Sequence, residues 1–218
     1  MSKHDTALLV FAKAPIPGQA KTRLIPALGG AGAAELHARL ARHTLKSAVT
    51  ANIGAVALWC APDATHPFFA ECVREFDVQL QVQQGADLGQ RMAHALACGL
   101  RSARHVLLIG TDCPTLTPDT LREAARRLQE ECAVVFVPAE DGGYALVGVR
   151  DMAPAIFDGI AWDSETVMAQ TRLRLSAQDT LWQELAVQAD IDIPQDLQRL
   201  QHTHPDLLQG IINLEVAS

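Results

Sequence analysis

The stretch His105-Val106-Leu107-Leu108-Ile109-Gly110-Thr111-Asp112-Cys113-Pro114-Thr115-Leu116-Thr117-Pro118 decides the fold class. Val106 to Ile109 is a continuous apolar run, too short for a helix and without alternation, as expected of a strand covered on both faces. Gly110 and Pro114 end the pairing. Thr117 followed by Pro118 then reads as an N-cap with proline at the first helical position, which opens a helix over 118–129. The unit is strand, polar turn, helix.

Outward from this unit the same grammar repeats. Apolar runs occupy 7–12, 55–61, 78–82, 133–137 and 144–149, and helical spacing governs 31–49 (Leu36, Leu40, then Leu45 and Val49) and 88–100. Strand and helix alternating over the first ~130 residues predict a doubly wound, mostly parallel sheet with right-handed crossovers. Between 133–137 and 144–149 stand only Pro138-Ala139-Glu140-Asp141-Gly142-Gly143, too few residues for a helical crossover, so an antiparallel or hairpin-like element is expected there. From Asp151 onward the chain reads as helices with one short extended piece at 191–193. No composition shift marks a linker, so 1–218 is taken as a single domain.

Composition narrows the function. The 218 residues are 49% hydrophobic, 20% charged and 5% aromatic, a globular profile that needs no metal or disulfide to hold a core. Eighteen basic against 25 acidic residues give a net charge of −7, and the basic ones are scattered, which argues against a nucleic-acid partner. The five cysteines contain no C-x-x-C, and no run approaches the ~18 apolar residues of a membrane span, so a reducing cytoplasm without membrane contact is expected. No internal repeat, G-x-S-x-G elbow, Walker loop or dinucleotide fingerprint occurs, which disfavours an NAD-dependent oxidoreductase.

Five segments could carry chemistry. The loop 11–24, after the first strand, holds Lys13, Lys21 and Arg23 and suits a pyrophosphate; a solvated connection would use the same residues. Asp112, at the tip of a buried strand, suits Mg²⁺ or Mn²⁺ with substrate phosphates completing the shell, and Thr117 already fills the capping role that would otherwise explain it. Asp141-Gly142-Gly143 is either a tight turn or a close backbone approach to a ligand. In 83–92, amides and Gly85 could read a base edge, with Arg91 reaching a phosphate near a helix start. Asp190 and Asp192 share one side of the short extended piece, where one could complete a metal site or both could face solvent. Trp162-Asp163-Ser164-Glu165 reads as a helix cap that could border an acceptor pocket.

In chain order, F-x-K-x-P-x-P-G-x-x-K-T-R-L, L-G-x-R-M, G-T-D-C-P-x-L, D-G-G-Y-x-L-x-G and D-I-D-x-P-x-D-L span Leu8 to about Leu200. This set resembles a family of bacterial GT-A-fold glycosyltransferase-like proteins of the radical-SAM or selenodomain-associated and arsenosugar-biosynthesis type. It is more distantly similar to molybdenum-cofactor and phospholactate guanylyltransferases and to sugar-nucleotide pyrophosphorylases. The resemblance implies a three-layer αβα sandwich, the nucleotide-diphospho-sugar transferase architecture. It places Lys13, Lys21 and Arg23 on nucleotide phosphates, and Gln84, Gly85, Leu88 and Gly89 in the base-reading loop. Asp112 and Asp192 then fall on the metal, with Asp141, Gly142 and Gly143 on the acceptor side. The L-x-A-G-G-x-S-x-R-M loop of the guanylyltransferases is absent.

The expected protein is a cytoplasmic, Mg²⁺- or Mn²⁺-dependent transferase moving a glycosyl group from a nucleotide sugar to a small-molecule acceptor, with Asp112, Asp141 and Lys21 at the chemistry. The alternatives are a nucleotidyltransferase that joins a nucleoside triphosphate to a phosphorylated acceptor and releases pyrophosphate, and an inactive nucleotide-binding module.

Overall fold

The computed structural model describes residues 4–130, 132–150, 154–162 and 164–211. Seven strands form one sheet: β1 His4–Lys13, β2 Ala55–Ala61, β3 Gln79–Val82, β4 Ala103–Ile109, β5 Val134–Pro138, β6 Tyr144–Val149 and β7 Trp182–Glu184. Their order is β3-β2-β1-β4-β6-β5-β7. The pairs β1–β2, β1–β4, β2–β3 and β5–β7 are parallel, whereas β6 runs antiparallel to both β4 and β5. Six strands therefore share a direction and β6 alone opposes them, as the short 138–143 connection required.

Helices cover both faces because successive side chains of a buried strand point to opposite sides. Leu8, Val10, Leu107 and Ile109 meet α1 (Ile25–Ala51), α2 (Pro67–Phe76) and α4 (Pro118–Glu130) through Leu45, Phe69 and Leu121. The alternate residues Leu9, Phe11, Val106 and Leu108 meet α3 (Leu88–Gly99) and α5 (Val167–Ala177) through Leu96, Met168 and Leu175. A third cluster joins Leu24, Leu36 and Leu40 to Ile191, Leu197 and Leu200, so that α6 (Asp196–Thr203) closes over the first half of α1. Burying a leucine of this kind contributes roughly 1.5–3 kcal/mol. The third cluster matters for function, because it fixes 190–193 against the opening of the sheet.

Three sequence expectations change. The predicted helix over 31–49 begins at Ile25 instead, with a non-helical residue at Gly29 (φ 67°) that explains why regular spacing starts only after it. Among the described residues the extended piece at 191–193 pairs with no strand, and the late strand is β7, whose three residues Trp182-Gln183-Glu184 are too few and too polar to show a pattern. Helix α5 starts at Val167 with Thr166 as N-cap and no side-chain cap bond; Ser164 instead bonds the Ala161 carbonyl, and Asp163 lies outside the described residues.

Candidate functional site

The strand order reverses between β1 and β4: from β1 the chain steps to β2 and β3 on one side, while β4 pairs on the other. In open α/β sheets ligands lie outside the carboxyl ends of the strands at such a point. A cleft of about 180 Å³ opens there, lined by Gly110, Asp112, Cys113, Ala139, Asp141, Tyr144, Ala145, Asp190 and Asp192.

The first loop enters this cleft through Lys21. Its backbone is left-handed (φ 48°, ψ 47°), a conformation that a non-glycine residue keeps only when its surroundings hold it. Here they do: Nζ lies 2.7 Å from Asp112 Oδ1 and 3.7 Å from Asp192 Oδ1, donates to the Ile191 carbonyl, and the side chain is 4% exposed. Leu24, fully buried, anchors the turn that follows. Arg23 stays at the mouth, 69% exposed, and its Nη1 bonds Asp192 Oδ2 at 2.6 Å.

Asp112 follows the tip of β4, where Gly110 N–H bonds the Ala145 carbonyl and the Asp112 carbonyl accepts from Ile191 N–H at 2.9 Å. Its side chain reaches water through the cleft mouth, 51% exposed, with protein on its other sides. Loss of solvent pushes its carboxyl up, but the Lys21 ammonium, aided by His37 and Lys13, outweighs this and holds it below the usual carboxylate range. Asp190 behaves oppositely: burial, with the charge of Asp141 added, raises its carboxyl above that range. Its segment is pinned from behind, because Asp196 Oδ2 accepts from the N–H groups of Asp192 and Ile193 while Arg199 bonds the Asp190 carbonyl and Glu140.

The third wall is the loop between β5 and β6. Asp141 Oδ1 accepts from Gly143 N–H at 2.8 Å, which turns the chain while leaving the carboxylate exposed on the cleft. Gly142 has φ +87°, and a Cβ there would sit 1.9 Å from the Glu165 carbonyl, so only glycine fits. Its own carbonyl accepts from Met168 N–H at 2.8 Å, docking the loop on the start of α5.

The predicted residues thus divide. Asp112, Asp141 and Asp192 line the cleft, and Lys21 and Arg23 are bonded to its carboxylates. The exposed Lys13 lies close enough to influence Asp112. Gln84, Gly85, Leu88, Gly89 and Arg91 do not line it. Gln84 and Leu88 are exposed, Arg91 Nε bonds the Gly85 carbonyl, and Gly89 lies so close under the Trp162 ring that a Cβ would be 2.6 Å from it.

Sequence reasoning missed the buried His37 of α1, whose Nε2–H donates to the Lys13 carbonyl at 3.0 Å and whose imidazole burial pushes below its ordinary value. Nothing in the periodicity of α1 marks it. It also missed the buried hydroxyl of Tyr144, which has no hydrogen-bond partner among the described residues. Cys113 is inert, since burial and then Asp112 push its thiol far up.

The donor set suits a hard divalent cation. Asp112, Asp141, Asp190 and Asp192 bring four carboxylates to one cleft against Lys21 and Arg23, so an anionic diphosphate needs further positive charge to enter. Among the described residues no group of three His, Cys, Asp or Glu is arranged to hold a metal. Mg²⁺ characteristically takes one or two carboxylates and completes its shell with phosphate oxygens and water, which is what Asp112 and Asp192 can offer.

The family described as "Uncharacterized protein conserved in bacteria (DUF2064)" matches residues 44–164. No curated protein matches the chain. Among solved structures, a candidate nucleotide-diphospho-sugar transferase from Desulfovibrio desulfuricans G20 is 28% identical with a TM-score of 0.83, covering 93% of this chain and 90% of that one. The same fold, at 10% identity and TM-score 0.60, occurs in CMP:2-keto-3-deoxy-manno-octonic acid synthetase complexed with CTP, with 93% and 99% of the chains covered. It occurs again in Rv0371c of Mycobacterium tuberculosis H37Rv complexed with manganese, at 19% identity and TM-score 0.54, with 92% and 100% covered. Among the described residues no helix is long and apolar enough to cross a membrane.

Proposed function

This chain belongs to the bacterial DUF2064 family, and on that premise we propose that it is a cytoplasmic, divalent-metal-dependent transferase that passes a glycosyl group from a nucleotide sugar to a small-molecule acceptor. The observation that carries the reading is the meeting of Asp112, Lys21 and Asp192 at the carboxyl edge of the sheet, on a cleft large enough for a diphosphate and the sugar carbons nearest it. The sequence resemblance to selenodomain-associated and arsenosugar-biosynthesis glycosyltransferases supports the same chemistry.

Asp112 and Asp192 would hold Mg²⁺ or Mn²⁺, which supplies positive charge to the diphosphate as the leaving group departs. Lys13 and Arg23, exposed at the mouth, draw in the anion, and Lys21 adds charge from beneath. Gln84, Gly85, Leu88 and Arg91, outside the lining of the cleft, are the residues assigned to the nucleoside, and Gly89, buried under Trp162, shapes the start of α3 behind them. Across the cleft, Asp141 accepts the proton of the acceptor hydroxyl if configuration inverts, and orients the acceptor if it is retained. Gly142 and Gly143, which do not themselves line the cleft, make the turn that presents Asp141 on the acceptor side.

A second reading, nucleotidyl transfer, draws support from the shared fold of the CTP-bound synthetase. Product analysis separates the two: a sugar nucleotide yields nucleoside diphosphate, whereas a nucleoside triphosphate with a phosphorylated acceptor releases pyrophosphate. A thermal-shift screen of nucleotides and nucleotide sugars with and without Mn²⁺ selects the base and sugar beforehand, since a ligand of the folded state raises the melting temperature by an amount that grows with the logarithm of its concentration over Kd. Absence of any nucleotide-dependent shift overturns both readings.

A further inference from the structure

Lys21 is an unusual phosphate-binding lysine. Its ammonium does not face open cleft: with 4% of the side chain exposed, Nζ is shared between Asp112 Oδ1 at 2.7 Å, the Ile191 carbonyl and, at 3.7 Å, Asp192 Oδ1. Arg23, by contrast, is 69% exposed and keeps the outer oxygen of Asp192. The left-handed backbone at Lys21 directs this side chain inward, against the residue's own conformational preference. The arrangement places a single positive charge between the same two carboxylates that the proposed function assigns to the divalent ion.

We infer that the Lys21 ammonium is a place-holder for that ion: in the resting protein it pairs with Asp112 and, beside Arg23, with Asp192, and a divalent cation binds by displacing it, which frees the ammonium to turn toward the diphosphate. The inference rests on the metal-dependent reading above. Its physical basis is mutual exclusion. A metal–carboxylate bond of about 2.0–2.6 Å would bring the dication within a few ångströms of Nζ, where the two like charges repel strongly in a partly desolvated site. The displaced ammonium keeps the Ile191 carbonyl as an acceptor and needs only rotation of its flexible stem to reach a phosphate. Lys21 would then be a positioning residue before metal arrives and a phosphate ligand afterwards. Because substrate phosphates complete the metal's shell, this couples the two events.

The test is a Mn²⁺ titration followed by electron paramagnetic resonance, performed on wild type, Lys21→Met, Lys21→Arg and Asp112→Asn, with and without UDP. Displacement predicts that Lys21→Met binds Mn²⁺ about tenfold or more tightly than wild type, that Lys21→Arg does not, and that Asp112→Asn binds it far more weakly. Equal or weaker binding by Lys21→Met, with wild-type binding still dependent on Asp112, overturns the inference and leaves the metal reading intact. Mn²⁺ binding by neither wild type nor Lys21→Met, with or without UDP, overturns the metal reading itself. Amine acetylation of the unmutated protein gives a check that does not depend on a variant folding. Relative to the exposed Lys46, Lys21 becomes more reactive when Mn²⁺ is added; unchanged relative reactivity overturns the displacement.

Discussion

Two regions of this molecule are dense in charge, and they are built in opposite ways. Along α4, Arg122 pairs with Asp119, Arg126 with Glu123 and Glu130, and Arg127 with Glu123, each of these acids three or four residues from its arginine, while Arg122 also donates to the Thr50 and Ala51 carbonyls and Arg127 to Gln183. In the cleft, Lys21 and Arg23 bond groups 170 and 169 residues further along the chain. The α4 pairs lie in water, where screening and side-chain entropy leave each of them little net effect. Lys21 is nearly excluded from water, and there an unmatched charge is costly. The helix uses charge to stay soluble and regular; the cleft gathers like charges that stability alone would not bring together. Concentrating four carboxylates in one cleft is a cost to folding that the proposed function would explain.

The contrast can be tested, the largest effect first. Asp112→Asn keeps the shape of the side chain and removes its charge; turnover in the product assay should fall by about 10²–10³-fold, as for loss of a main electrostatic element of a transition state. Near-normal turnover would reduce Asp112 to the structural role that the α4 acids play. Gly142→Ala forces a Cβ against the Glu165 carbonyl, and the backbone must shift. A loss of about 2 kcal/mol, near 4–8 °C in melting temperature for a chain of this length, is expected by calorimetry. Gly110→Ala, with nothing within 4 Å of the added atom, should be close to neutral and serves as its control.

The third test uses pH, because the two inner carboxyls titrate with opposite sign. Asp112 lies below its unfolded value, so the stability it brings is present above about pH 4 and is lost as pH falls through its folded value. Asp190 lies above its unfolded value, so the folded protein holds that proton more tightly, and stability falls as pH climbs from about 4 through the raised value. Asp190→Asn should therefore raise the melting temperature at neutral pH and bring no gain under acid conditions; a gain at every pH would assign the effect to packing. The smallest effect belongs to α4. Glu123 is held at about 2 by its hydrogen bonds to Arg126 and Arg127. Even so, Glu123→Ala should move the melting temperature by less than about 2 °C, and added salt should shrink the difference. A larger, salt-independent loss would mean that the exposed ladder resembles the cleft more than the comparison allows.

The same contrast explains what was legible. The i,i+3 and i,i+4 charges of α4 can be read from spacing alone, because helix geometry makes neighbours of residues at that separation. The tip of β4 was equally plain, since an apolar run ending in Gly110-Thr111-Asp112 points a carboxylate at the carboxyl edge of a parallel sheet whatever the rest does. Asp190 and Asp192 could be proposed as sharing a side, and both do border the cleft. They do so from an irregular segment rather than a strand, held by Asp196 and Arg199. His37 and the buried hydroxyl of Tyr144 gave no signal, because burial of a polar atom is set by neighbours distant in sequence.

By itself, the sequence determined the strand-helix alternation, the reversal of direction at β6 and the positions of the acidic and basic segments, because periodicity and turn chemistry act over a few residues. Only the tertiary structure decided that Lys21 is turned inward onto Asp112 rather than outward to solvent, and that Asp192 shares it. That outcome depends on α6 packing over α1 and on Ile191 reaching the Asp112 backbone. Contacts between segments so far apart arise from burial of the whole chain, and no local pattern encodes them.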